Sequence, residues 1–245
     1  MRISGKTGFR LAVVAVAALA VAGCGSANIS SMTIFGSGGG APERVVVGAI
    51  VVPPGSVSLD AGVAARLRER VRGESPQAAR SRLTAEVSSV LITTVVDRLT
   101  KAGLPATAGI SSMQTASERT LLIDGTVTQI DEGNRTRRNV IGFGAGKSQV
   151  SADMVVSMAD SSGRKQLLTF RAEADSGRRP GAIATAPVSA AQSGVAVAAG
   201  GAVASGAVSQ KLRGDVEALA RNLGDAIADR VIEYARAQNW LKQPG

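Results

Sequence analysis

Residues 149–174 read QVSADMVVSMADSSGRKQLLTFRAEA. Val150, Ala152, Met154, Val156 and Met158 alternate with Gln149, Ser151, Asp153 and Ser157. After the turn-forming run Asp160, Ser161, Ser162 and Gly163, Leu168, Phe170, Ala172 and Ala174 alternate with Thr169, Arg171 and Glu173. A period of two puts each set on its own face of a strand, so the segment predicts an antiparallel hairpin with one buried face. A hairpin of this kind needs further strands and a cover for its apolar side.

Both are found on either side of it. Upstream, LLIDGTVTQI (121–130) alternates only partly, and Gly125 suggests a bulge. RVVVGAIVV (44–52) is apolar on both faces and is stopped by Pro53 and Pro54, as expected of a strand inside a sheet. Between them, Ser75 and Pro76 have the chemistry of a helix cap and first turn. Leu83, Val87, Val90, Leu91, Val95 and Leu99 continue as an apolar stripe, which Lys101, Ala102 and Gly103 close. LPATAGI (104–110) predicts a short strand, which a right-handed crossover places parallel to 44–52. Downstream, Leu212, Val216, Leu219, Leu223, Ile227, Val231 and Tyr234 predict a second long helix over 211–240, on the same sheet face.

The expected fold is α/β (α+β): a mixed sheet of about five strands with an antiparallel meander, two long helices on one face, in the order β-α-β-β-β-β-α. Two segments stand outside this frame. Val63, Leu67 and Val71 recur among Arg66, Arg68, Arg70 and Arg72, giving a short basic amphipathic helix that either touches lipid or shows its charges to water. Residues 182–210 carry no charge and are mostly Ala, Gly, Val and Ser. Such a composition suits a closely packed small-residue helix, a mobile loop or a membrane-active segment, and the sequence does not choose among them.

The N-terminus gives an address. Arg2, Lys6 and Arg10 precede an unbroken apolar run over 11–21, followed by Ala22, Gly23 and Cys24. A basic start, a short apolar core and small residues before a cut mark a secretory leader. The run is too short to span a bilayer, which takes about 20 residues. Cys24 is the only cysteine, so it has no disulfide partner within the chain. With Val21 three residues before it, it completes a lipobox: residues 1–23 are read as leader and Cys24 as the acylated first residue of the mature protein. An aspartate after the cysteine is usual in lipoproteins retained at an inner membrane; Gly25 points to the outer membrane, facing the periplasm. Residues 24–43 are read as the lipidated cysteine and a flexible Ser/Gly linker reaching about 25 Å, and residues 44–241 as one domain.

Composition narrows the chemistry. The chain holds no histidine, which excludes Ser-His-Asp and Cys-His catalysis and most zinc and haem sites. No cofactor or metal is expected. The 28 Lys and Arg, three of them in the leader, against 19 Asp and Glu leave the mature chain at +6. A basic surface favours anionic lipid or glycan, whereas four Phe, one Trp and one Tyr are too few for nucleic-acid stacking.

Residues 135–148 hold the one motif with possible chemistry: Arg135, Arg137, Arg138, then Gly142, Phe143, Gly144, Gly146 and Lys147. A phosphate-binding loop would need a glycine where Ile141 stands and a helix after Ser148, where a strand follows. Two readings remain. Backbone N–H groups flanked by four cations can form an anion nest, or the glycines serve a tight turn and close packing.

GFGAGKSQV, set between an arginine-bearing strand end and a strand closing in Asp160-x-x-Gly163, resembles the bacterial lipoprotein family known as domain of unknown function 4410. The layout of lipobox, early strand, long helix, glycine motif, hairpin, small-residue stretch and final helix resembles it too, over roughly residues 43–240. The resemblance implies a cell-envelope lipoprotein without assigned activity, and an α/β fold similar to those of periplasmic accessory lipoproteins and curli-secretion pore subunits. It brings no catalytic residues with it.

The functional expectation is a non-enzymatic binding or scaffolding domain, held at the outer membrane through Cys24. Its candidate contacts are Arg135, Arg137, Arg138, Gly142, Phe143, Gly144, Gly146 and Lys147. An envelope protein or an anionic glycan is the expected partner besides the membrane. The alternatives are a subunit of an oligomeric pore or secretion assembly, and a hydrolase using Asp124, Asp131, Glu132 or Asp153.

Overall fold

The computed structural model describes residues 26–60, 62, 73, 75–110, 118–134, 146–177 and 205–241. The expected leader and Cys24, most of the basic stretch 60–72, residues 135–145 of the glycine motif and residues 182–204 lie outside the described residues. The elements run β1 (Ser26–Ile34), β2 (Arg44–Val51), β3 (Val57–Ser58), α1 (Pro76–Lys101), β4 (Ala106–Ala108), β5 (Thr120–Asp131), β6 (Gln149–Asp160), β7 (Gly163–Asp175) and α2 (Ser205–Ala237). The expected mixed α and β architecture is present, with seven strands in place of about five.

The sheet order is β1-β7-β6-β5-β2-β4, with β3 also on β5. Strands β5, β6, β7 and β1 are antiparallel, and β2 runs parallel to both β4 and β5. The hairpin forms with its apolar set inside, since Val150, Ala152, Met154, Val156, Phe170 and Ala172 are all buried, but Ser151 and Ser157 of the expected outer set are buried as well. β2 lies between β4 and β5, where Val45, Val46 and Val47 lose nearly all contact with water.

Both helices share one core with the sheet. Ser75 caps α1 by accepting a hydrogen bond from the Ala78 N–H at 3.2 Å. Leu83, Val87, Leu91, Val95 and Leu99 are its buried stripe. α2 starts at Ser205, six residues before its expected start, and buries Leu219, Leu223, Ile227 and Val231. At Gly224 a Cβ would stand 2.8 Å from Thr94 Cβ, so this glycine lets the two helices approach. Among the described residues no helix is long and apolar enough to cross a membrane.

Two expectations need correction. Residues 26–34, assigned to a flexible linker, form edge strand β1, registered against β7 from Ser26 opposite Asp175 to Ile34 opposite Leu168. The polar sequence SANISSMTI hides this, because an edge strand is held mainly by backbone hydrogen bonds and needs few apolar residues. The rest of the supposed linker is also fastened. Tyr234 donates its hydroxyl to Gly36 O at 2.7 Å, Trp240 donates its indole N–H to Gly39 O at 3.0 Å, and the two rings meet edge-on with centroids 5.6 Å apart.

The second correction concerns Gly125, which sits in register between Ile50 and Met154 and makes no bulge. The irregularities fall between Val47 and Ile50 in the β2 pairing and between Val127 and Gln129 in the β6 pairing. Gly125 instead leaves room for Met154, whose sulfur would be 2.6 Å from a Cβ there.

Trp240→Ala should therefore release residues 36–40 while the sheet persists. The expected result is faster proteolytic cleavage in that segment and a loss of about 1–3 kcal/mol in urea unfolding. Unchanged cleavage would show that the indole does not hold it.

Candidate binding surface at one end of the sheet

Strand pairing aligns five residues across one end of the sheet. Ser26 faces Asp175, Asp175 faces Gln149, Gln149 faces Asp131, and Asp131 faces Ser58. The glycine motif occupies the connection between Asp131 and Gln149, so it leaves from this end.

Its base is tightly built. Ser148 is buried; its hydroxyl donates to Glu132 O at 2.6 Å, and its N–H donates to Ser176 Oγ at 3.1 Å. The Ser176 N–H returns a bond to Ser148 O at 3.0 Å. The Glu132 N–H reaches Ser58 O at 3.1 Å, and its carboxylate accepts from the Asp60 N–H at 3.0 Å. The connections after β3, β5 and β7 are thus tied together at their roots.

One sequence signal at these roots escapes a search for catalytic motifs. Asp60-x-Gly62, Asp131-x-Gly133 and Asp175-x-Gly177 repeat one pattern just past three strand ends. In each, the aspartate side chain accepts from the N–H two residues on, at 2.7–2.8 Å. This is the geometry by which Asp turns a chain on itself. Gly133 and Gly177 have φ near +70°, a region that suits glycine.

Of the predicted contact residues, Gly146 and Lys147 are described; Arg135, Arg137, Arg138, Gly142, Phe143 and Gly144 are not. Gly146 has φ +71°, and a Cβ on it would collide with Asn134 O. Across the neck, a Cβ on Gly133 would collide with the carbonyl oxygens of Gly146 and Lys147. These two glycines let the strands of the neck close, and the Asn134 N–H bonds Gly146 O at 3.1 Å. At Gly146 the turn-and-packing reading therefore describes the backbone. Lys147 Nζ pairs with Asp175 at 3.1 Å, with both side chains partly in water.

The four carboxylates considered for hydrolysis are all engaged. Asp131 and Glu132 serve the turns just described. Asp124 accepts from Arg164 Nη2 at 2.6 Å, and Asp153 accepts from Arg171 Nε and Nη2 at 2.7 and 3.0 Å. The two hydrogen bonds from Arg171 hold the Asp153 carboxyl below its ordinary range. A separate groove of about 420 Å³ between α1 and α2 is lined by Asp97, Arg98, Lys101, Arg221 and Asp225, among others. Arg98 there is tied to Asp229 at 2.9 Å. Among the described residues no group of three acidic, cysteine or histidine side chains is placed to hold a metal.

A family model described as a domain of unknown function (DUF4410) matches residues 56–193, from β3 through β7 and beyond. No curated protein matches. Among solved structures, a variant of the PelC dodecamer from Paraburkholderia phytofirmans is similar at 12% identity and TM-score 0.37, over 82% of this chain and 93% of that one. Another structure of the PelC dodecamer from the same organism is similar at 11% identity and TM-score 0.36, over 89% and 99%.

Gly133→Ala and Gly146→Ala should each cost more than about 1 kcal/mol in urea unfolding, since each places a Cβ at positive φ against backbone. Gly55→Ala, at a position with open space around it, is the neutral comparison. Equal midpoints for all three would refute the closed neck. A second expectation concerns pH. Asp153 has a lowered folded-state pKa, so its contribution is present above the unfolded value of about 3.9 and is lost as pH falls through the lower folded one. Arg171→Ala should raise the Asp153 carboxyl titration toward its ordinary value, as read by carbon NMR. The pair is exposed and screened by solvent, so the accompanying stability change is small.

Proposed function

The chain belongs to the DUF4410 family, and from that premise we propose that it is a non-enzymatic cell-envelope lipoprotein: a binding or scaffolding domain tethered to the outer membrane through an acylated Cys24. The observation that carries this reading is the apolar run over 11–21, ending in small residues at the one cysteine of the chain. A solitary thiol there has a chemical use as the acceptor of a diacylglycerol, and two or more acyl chains make a stable anchor where one is marginal.

The contact surface is the basic glycine motif, 135–148. Two features support it. Arg135, Arg137, Arg138 and Lys147 gather four cations in fourteen residues. The described residues that flank this stretch in sequence, Gly133, Gly146 and Ser148, are held by close backbone approach and by the Ser148 hydroxyl on Glu132 O. The non-enzymatic reading draws on a chain without histidine and on carboxylates committed to arginines and turns.

Mass spectrometry of the native protein should find Cys24 as the N-terminal residue with a diacylglyceryl thioether; an unmodified thiol would end the lipoprotein reading. Charge reversal at Arg137 and Arg138 should abolish recovery of the envelope partner in crosslinking pull-downs while thermal unfolding stays unchanged. Undiminished recovery would remove the motif as the contact surface.

A further inference from the structure

The two edges of the sheet are unlike. β4 closes one with three residues, whereas β1 closes the other with nine. Among the described residues no strand pairs with the far side of β1. An open edge presents unpaired N–H and C=O groups to another strand, and natural proteins blunt it with charge, with proline or by keeping it short. β1 does none of these. Residues 25–42 contain no Lys, Arg, Asp or Glu, and the first proline is Pro42.

Hydrogen bonding sets which groups are free. The Phe35 N–H bonds Leu167 O on one side of β7, and the Ser176 N–H bonds Ser148 O on the other. Alternation along β7 turns the backbone of Asn28 and Ser30, opposite Glu173 and Arg171, toward it. The N–H and C=O groups of Ala27 and Ile29 therefore face outward. Ser30 to Phe35 are exposed throughout, the apolar Met32, Ile34 and Phe35 among them. The register slips between Ser30 and Thr33, where Ser31 has φ +50°, so the flat run open to pairing is 26–30.

That run reads Ser-Ala-Asn-Ile-Ser, with polar and apolar residues in the same order from either end. A two-fold axis at Asn28 sets Ser26 against Ser30 and Ala27 against Ile29, the two residues whose backbone groups face outward. We propose that β1 pairs antiparallel with β1 of a second copy about this axis, so that each sheet continues into the other. Charge favours a second copy over a foreign strand. With 28 Lys and Arg against 19 Asp and Glu, two copies repel over most of their surface and meet most easily where charge is absent. A neutral edge also offers a charged partner nothing to select. The helices leave room: α2 packs over β1, β7 and β6, and in the joined sheet the two β7 strands stand three strand spacings apart, about 14 Å. Packed helices touch at about 8–10 Å, so the two α2 helices clear each other. The inference does not depend on acylation of Cys24.

Sedimentation of the full-length chain in density-matched detergent should give twice the mass of one chain. Asn28→Lys sets like charges face to face on the axis, while in its own sheet the new side chain lies opposite Glu173. It should halve the mass and leave the circular dichroism unchanged. Asn28→Glu should do the same, and mixing the two variants should restore the doubled mass. Ser161→Lys, in the exposed β6–β7 turn, should keep it. Ala27→Pro, which removes an outward N–H and no bond to β7, is a second variant that should also halve the mass. A wild-type monomer, or a doubled mass that Asn28→Lys and Ala27→Pro leave intact, would overturn the proposal. Failure of the mixed, folded variants to reassociate would overturn the pairing of β1 with its own copy.

Discussion

The pairing of β1 with β7 is the constraint on which the rest depends. It adds an edge strand to an already complete hairpin and places the N-terminal end of the domain at the level of Asp175. Seven registered positions hold it, and the chain beyond it is fastened again by Phe35 N–H to Leu167 O at 2.9 Å and by the Tyr234 and Trp240 side chains. Backbone ladders of this kind are cooperative with the sheet that they join. Consequently, the chain enters the described domain at a fixed end of the sheet.

That end is also where the connections of the fold gather. β5 is the hub: it takes β2 and β3 in parallel on one side and β6 antiparallel on the other. β2 ends opposite Thr126 and β3 ends level with Asp131, so the chain crosses back through α1 from the same end at which the glycine motif leaves. The three Asp-x-Gly turns and the bonds among Ser58, Glu132, Ser148 and Ser176 convert those crossings into one base. The opposite end, by contrast, carries the β6–β7 turn and the aromatic clasp of Trp240 on residues 36–40.

Much of this was legible in the sequence where side-chain burial does the organising. The alternation over 149–174, the apolar run of β2, the Ser75 cap and the stripe from Leu83 to Leu99 all state their structure, because each element buries one recognisable face. The elements held by backbone alone were not legible. β1 has only Ala27 and Ile29 half-buried among its first residues, and the two residues of β3 are too few for any period. Gly125 was misread for a related reason: a missing side chain signals a bulge and a close neighbour equally, and only the position of Met154 distinguishes them. The candidate surface was half legible. Its cations stand together in sequence, but the row that brings the start of β1 level with Asp175 arises from the pairing of β1 with β7, strands more than a hundred residues apart.

The most direct measurement is hydrogen exchange on the full-length protein, read at the amides of residues 26–34. With β1 paired as described, the amides it donates to β7 exchange as slowly as those between β6 and β7. Exchange of the whole segment at the rate of an unstructured chain would restore the long flexible tether and contradict the account.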